Sequence, residues 1–276
     1  MTEENKFIER VDLHIHSNYS DGLASIEDIF RVAKKAKFKG IAITDHDTTE
    51  HWDEVEKLGK ERKVPYVLGT EFSAMYDGGE VHILGYNFDR KNATISEILS
   101  DYKNSNVRWV INLALNFASK TGKFIDFYDF DFKGSPDKVR ITKYLVEKGI
   151  LSLEEEKDFS KLVQKTFKQG GKYHCKRKIK RRKVSDIIEA IHDAGGIAVL
   201  AHPMKEKLTE KDIKSFVNFG LDGIEVFCRG IQEKDVIDMY YNIAIKHKLL
   251  ITGGSDFHGN GKLGTALPNE TYDYFF

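Results

Sequence analysis

The stretch Val11-Asp12-Leu13-His14-Ile15-His16-Ser17-Asn18-Tyr19-Ser20-Asp21-Gly22 places two histidines one residue apart in an apolar run. Val11 to Ile15 reads as a strand, and side chains at i and i+2 of a strand project from one face, roughly 6.6 Å apart at the backbone. Two imidazoles so placed can grip one cation. Taken alone, the pair is equally compatible with a solvated face or with two satisfied polar groups. The rest of the chain decides.

Outward from that run, further β-rich segments recur at Gly40 to Thr44, Tyr66 to Gly69, Val81 to Leu84, Gly196 to Ala201, Gly223 to Phe227 and Leu249 to Thr252. Helical periodicity lies between many of them, at Ile26 to Lys37 behind a Ser25 N-cap, Glu50 to Lys60, Val184 to Asp193, Glu210 to Phe219 and Gln232 to Lys246. Alternating strands and helices predict parallel pairing with crossovers, in a closed barrel or a doubly wound sheet. The unusual polar residues fall at strand ends all round the set, which favours the barrel, where chemistry gathers at the carboxyl ends. From about Lys91 to Lys183 the alternation stops, and helical pieces at Tyr102 to Lys120 and Asp137 to Lys148 predict an inserted helical subdomain. The expected plan is an α/β barrel in two parts, residues 1–90 and 184–276, interrupted by residues 91–183. Lys172 to Lys183 carries eight cations and no acid, and reads either as a solvated face or as a rim that attracts phosphates.

Composition bounds the function. The 276 residues are 41% hydrophobic, enough for one large domain with a substantial core. Lys plus Arg and Asp plus Glu both number 43, so the chain is not a globally basic nucleic-acid coat and any polyanion site is local. Met1 to Lys6 holds no apolar signal core and no apolar stretch approaches the roughly 20 residues that span a bilayer, so a soluble cytoplasmic protein is expected. Cys175 and Cys228 lack any paired spacing, which argues against a disulfide framework and against a thiolate zinc site. Histidines and carboxylates must supply any metal ligands.

Those groups fall in order along the strands. After His14, His16 and Asp21 come Thr44-Asp45-His46-Asp47, Gly69-Thr70-Glu71, Val81-His82-Ile83-Leu84-Gly85-Tyr86, Ala201-His202-Pro203 and Gly254-Ser255-Asp256-Phe257-His258-Gly259. Each strand-end histidine alone is an ordinary core or rim residue. Six histidines and three carboxylates together exceed what one four- to six-coordinate ion uses, so two or three metals are implied. Nitrogen and carboxylate oxygen donors suit manganese, iron or zinc, and the absence of cysteine favours a hydrolytic cluster over a structural zinc. Asp45 and Asp47 either orient ligands or are helix-start carboxylates. His51, His174, His192 and His247 match no motif and read as surface residues.

The motif series resembles the PHP family, the polymerase and histidinol phosphatase superfamily, and in particular its stand-alone phosphoesterases. The resemblance implies a distorted seven-stranded (β/α) barrel and a trinuclear metal cluster. In that arrangement His14, His16, Glu71 and Asp256 hold one metal, Glu71 bridges to a second completed by His82 and His202, and Asp21, His46 and His258 hold a third. Glu71, Asp256 and His202 stand closest to the chemistry, in which a bridging hydroxide attacks phosphorus in line. Where related phosphoesterases show a Gly-Arg-Pro-His-like segment, this chain reads Asp137-Lys138-Val139-Arg140-Ile141-Thr142, so Lys138 and Arg140, with Arg229, are the candidate substrate-phosphate residues. The expected substrate is a small nucleotide, a 3',5'-bisphosphate or AMP, or a short oligonucleotide, with no membrane and no obligate protein partner. Histidinol phosphate is the alternative within the same chemistry. An amidohydrolase-type C–N hydrolase and a non-catalytic metal-binding module are the alternatives outside it.

Overall fold

β1 (Phe7–Ile15) is the seam of the barrel. The computed structural model describes residues 7–153, 158–228, 233–259 and 261–276. Within these, β2 (Gly40–Ile43), β3 (Tyr66–Tyr76), β4 (Gly79–Tyr86), β5 (Ile197–Leu200), β6 (Gly223–Cys228), β7 (Leu250–Gly254) and β8 (Thr265–Pro268) form one sheet in the order β7-β6-β5-β4-β3-β2-β1-β8. The sheet closes on itself. Past the end of β7 the chain bridges Ile15 through Phe257, with the Asp256 amide donating to the His14 carbonyl and the His16 amide donating to the Phe257 carbonyl, both at 2.9 Å. β8 lies antiparallel on the first half of β1.

Two features correct the expected pattern. Four residues of β8 follow β7 without a helix, too short for periodicity to mark. Pairing is also not uniformly parallel, because β4 runs antiparallel to both β3 and β5. The cause is local: Asp77 and Gly78, at φ 45° and 80°, make a two-residue turn that carries β3 straight into β4. Asp-Gly supplies the left-handed conformation such a hairpin requires, so β3 extends well beyond Gly69.

The helices form where spacing places them: α1 (Ile26–Lys35), α2 (Trp52–Arg62), α6 (Val184–Asp193), α7 (Glu210–Asn218) and α8 (Lys234–His247) cover the barrel, and α9 (Asn269–Phe275) ends the chain. Ser25 caps α1 by accepting the Asp28 amide, and Thr209 with Asp212 forms a capping box on α7. Val11, Leu13, Ala42, Val67, Leu84 and Val199, from five successive strands, make a cluster inside the barrel, while Ile15, Ile41 and Ile43 pack outward against α1 and α2. Between β4 and β5 lie α3 (Ala93–Thr121), α4 (Lys138–Glu147) and α5 (Phe159–Thr166), of which α5 lies outside the expected helical pieces. The second half of α3 packs with α4 around Trp109, Leu113, Phe117, Phe130, Ile141 and Leu145. No helix among the described residues is long and apolar enough to cross a membrane.

Candidate metal centre

A β-bulge aims the first two histidines. Asp12 pairs with Ile41 but Ile15 pairs with Ile43, so β1 carries one extra residue there, and the side-chain alternation shifts by one. Leu13 stays in the interior cluster, Ile15 turns outward, and His14 and His16 face the barrel mouth, fully buried. Asp12, at the bulge, accepts the Ser255 and Gly264 amides at 2.8 and 2.7 Å and ties β1 to the chain beyond β7. Burial pushes its carboxyl up to about 6.

Glu71 is the hub. The Glu71 amide donates to the Thr44 carbonyl and the Asp47 amide to the Glu71 carbonyl, so the segment after β2 runs beside β3 and brings His46 next to the carboxylate. Glu71 Oε2 stands 3.1 Å from His14 Nε2, His16 Nε2 and His46 Nδ1. Its other oxygen stands 2.9 Å from His82 Nδ1 and 3.0 Å from His202 Nε2. Asp256 Oδ1 lies 3.2 Å from His16 Nε2 and 3.5 Å from His14 Nε2. Asp21 Oδ1 lies 3.2 Å from His258 Nε2, 3.8 Å from His16 Nδ1 and 3.9 Å from His46 Nε2.

Three groups of donors result, each with its atoms within 4.8 Å of one another: His14, His16, Glu71 and Asp256; His16, Asp21, His46 and His258; and His46, Glu71 and His82. With His202 beside Glu71, all nine residues meet in one place, although Glu71 and His82 stand inside β3 and β4 and not at strand ends as expected, because the hairpin extends both strands past them. Two details differ from the arrangement the family resemblance implies. His46 joins Glu71 and His82 as well as the Asp21 group, and His202 touches Glu71 from outside the third group. His202 and Asp256 hold positive φ, 26° and 49°, a strained backbone that sharp turns at strand ends impose.

The donor chemistry fits divalent cations. Asp21 Oδ1, His46 Nδ1, Glu71 Oε2 and His82 Nδ1 are buried without a hydrogen-bond partner, although carboxylate and imidazole lie about 3 Å apart. His14 Nε2 and His16 Nε2 face each other at 3.1 Å. Lone pairs aimed at shared points, not at protons, are what a cation satisfies. The electrostatics agree. Burial raises the carboxyl of Glu71, yet His46, His14 and His82 hold it well below the ordinary carboxylate range. Burial alone lowers His16 and His82, but Asp256 and Glu71 lift the first, and Glu71 and Glu80 the second, to about 10 each. Burial takes His46 down to about 4.

The outward nitrogens are also held. His14 Nδ1 meets both oxygens of Glu225 at 3.3 Å, His202 Nδ1 meets Glu206 at 3.1 Å, and His258 Nδ1 donates to the Asp256 carbonyl at 2.9 Å. Glu225, fully buried, also accepts the His202 amide at 2.8 Å. Sequence reasoning missed it, although a lone acid in the apolar strand Gly223–Cys228 was the available signal. Lys205, likewise unread, pairs with Asp256. Asp45 and Asp47 are not ligands: Asp45 accepts from Ser17 and Ser20, and Asp47 from Ser73 and Arg181. His51 is not a surface residue but is fully buried, its Nε2 within 3.2 Å of the Ile43 and Gly69 carbonyls, pinning β2 to β3.

Asp21, His46 and His82 open onto a cavity of about 240 Å³ that residues of α3, α4 and the basic run also line. Lys138 lines it beside Asp137, 3.3 Å away, which spends its other oxygen capping α4. Arg140 does not line it. Its guanidinium is taken up by the carbonyls of Asn18, Asp131 and Lys133, and so clamps the loop after β1. Arg229 lies outside the described residues. The basic run divides by alternation: Lys176, Lys178 and Lys180 face solvent, while Arg177 and Arg181 turn into the cavity around Ile179.

The chain is similar in sequence and fold to known proteins. The PHP domain family matches residues 12–199. A 5'-3' exoribonuclease of Haemophilus influenzae is 30% identical, with 90% of each chain covered. A phosphoribosyl 1,2-cyclic phosphate 1,2-diphosphodiesterase of Eggerthella lenta is 28% identical over 90% of this chain and 94% of its own. A 3',5'-nucleoside bisphosphate phosphatase of Chromobacterium violaceum is 29% identical over 92% and 89%. Among solved structures, a putative metal-dependent phosphoesterase from Bifidobacterium adolescentis superposes with a TM-score of 0.81 at 28% identity, covering 96% of this chain and 94% of that one. Nine convergent donors at the mouth of a barrel, a match spanning most of the chain and a shared fold lead to one conclusion: the chain belongs to the PHP domain family, as a metal-dependent phosphoesterase.

Proposed function

We propose that this enzyme hydrolyses phosphate monoesters of small nucleotides, a 3',5'-bisphosphate or AMP, or trims short oligonucleotides, using three divalent ions, manganese foremost. The observation that carries the reading is the sharing of Glu71, which belongs to two of the three groups and has histidine nitrogens about 3 Å from each of its oxygens, as a carboxylate between adjacent cations would. His14, His16, Asp21, His46, Glu71, His82, His202, Asp256 and His258 would hold the metals. When bound, such ions lower the pKa of water and neutralise phosphoryl oxygens. Around them the chain fixes imidazole orientation through Glu225 and Glu206 and offers cations from α4 and the basic run, with Lys138 as one phosphate contact. Residues 91–183 would act as the inserted unit that brings this cationic wall over the barrel mouth. The names of the H. influenzae and C. violaceum relatives support a nucleotide or RNA substrate. Against a C–N hydrolase that relies on a carboxylated strand-end lysine, the hub position holds Glu71.

The test is phosphate release by the manganese-loaded protein from adenosine 3',5'-bisphosphate, AMP, 5'-phosphorylated dinucleotides and histidinol phosphate. Nucleotide hydrolysis that chelation abolishes and Mn²⁺ restores is expected. Turnover of histidinol phosphate alone, or undiminished turnover in metal-free protein, refutes the proposal.

A further inference from the structure

The cavity beside the metal centre contains three cations of unequal availability. Arg181 is committed: its Nη1 lies 2.7 Å from Asp47 Oδ2 and its Nε 3.2 Å from Glu80 Oε2, with Tyr102 stacked against the guanidinium. Lys138 is paired with Asp137. Arg177 differs. Among the described residues no carboxylate lies within ion-pair range of it, and its Nε is buried with no partner. Its guanidinium is nevertheless fixed, lying 5.2 Å from the Trp109 ring centre and donating through Nη2 to Asn106 Oδ1. Asn106 in turn donates to Ser135 Oγ at 2.7 Å, and Trp109 Nε1 donates to the Cys175 carbonyl at 3.0 Å. A pre-positioned guanidinium with no carboxylate in ion-pair range and an N–H unmet is suited to receive an anion.

We propose that Arg177 is the specificity-determining residue of the site, receiving the second, non-scissile phosphate of a substrate that carries two phosphoryl groups. This rests on the phosphoesterase reading above, in which the scissile phosphate would lie at the histidine and carboxylate cluster, whose Asp21, His46 and His82 line the same cavity as Arg177. A mononucleotide with one phosphate leaves Arg177 unmet. A nucleoside bisphosphate, or a 5'-phosphorylated oligonucleotide through its next phosphodiester, engages both the cluster and Arg177. The geometry also assigns Trp109 and Asn106 as positioning residues, holding the fork by stacking and by one hydrogen bond.

The experiment compares wild type with Arg177→Met and Arg177→Lys on adenosine 3',5'-bisphosphate and AMP. In the manganese-loaded enzyme, Arg177→Met should raise KM for the bisphosphate about 10- to 100-fold, the size expected for one charge-assisted contact, and collapse the bisphosphate-to-AMP ratio of kcat/KM by a similar factor. Arg177→Lys should recover part of that ratio. Independently of turnover, Trp109 fluorescence in chelator-treated protein should report tighter binding of the bisphosphate than of AMP, a difference Arg177→Met erases. An unchanged ratio in Arg177→Met, or equal binding of the two nucleotides by wild type, overturns the assignment and leaves Arg177 as an anchor for α3. Failure of the phosphoesterase reading is separately visible, as no phosphate release from any ester.

Discussion

Glu225 illustrates how a residue remote from the motifs governs them. It meets His14 Nδ1 with both oxygens and accepts the His202 amide, so one buried carboxylate on β6 orients the His14 imidazole from β1 and holds the backbone of His202 just past β5. A carboxylate behind a ligand imidazole fixes its tautomer and raises its basicity, and losing such a group costs 10–100-fold in metal affinity or activity. Glu225→Gln should therefore fold normally yet lose metal about 10-fold more readily on dialysis, read by elemental analysis. Wild-type retention would reduce Glu225 to a packing role. The same reasoning separates Arg140 from Lys138, neighbours in sequence whose charges do different work: one holds loop carbonyls, the other lines the cavity.

At the scale of elements, the β3–β4 hairpin delivers Glu71 and His82 from within regular pairing, while the other donors come from places where the backbone leaves it. The extra residue in β1 turns His14 and His16 into the mouth, and the closing segment after β7 must then pass very near them. Gly254 makes that passage possible. A Cβ at this position would stand 2.2 Å from His14 Cβ and 2.7 Å from Glu225 Oε1, neither of which is a free-swinging side-chain tip. Gly254→Ala should push His14 off its carboxylate partner, destabilise the fold by about 1–3 kcal/mol and cut kcat/KM about 10-fold or more. Urea unfolding and steady-state kinetics measure the two effects; native values for both would mean that the closing strand relaxes freely.

For the whole molecule, the cluster is a concentration of charge that folding assembles and metal completes. Without metal, His16 and His82 hold protons up to about pH 10 because Asp256, Glu71 and Glu80 surround them. Metal can bind only by displacing those protons, so its effective affinity rises with pH throughout the range below 10. Since a ligand that binds only the folded state contributes about 2.7 kcal/mol at a hundred times its Kd, saturating Mn²⁺ should raise Tm by about 5 °C or more. That increment should be larger at pH 8 than at pH 6. A Tm indifferent to Mn²⁺, or an increment that shrinks toward alkaline pH, contradicts the coupling of cluster to fold.

The sequence by itself determined which residues could be ligands, because histidine and carboxylate identity and the i, i+2 spacing of His14 and His16 are local properties, but it misplaced Glu71 and His82, which lie within β3 and β4 and not at strand ends. It also determined most helices, through periodicity and caps such as Ser25, whereas the Asp-Gly turn at 77–78 went unread and the antiparallel setting of β4 came only from the structure. Only the tertiary structure decided which donors share a group, that His46 reaches two of them, that Glu225 stands behind His14, and that the basic run splits into solvent-facing lysines and cavity-facing arginines. Those outcomes depend on contacts between positions as far apart as His14 and Asp256, and on one extra residue in β1 that shifts the facing of the side chains after it. Neither barrel closure nor a bulge has a signature in residue spacing, since both are settled by pairing between strands.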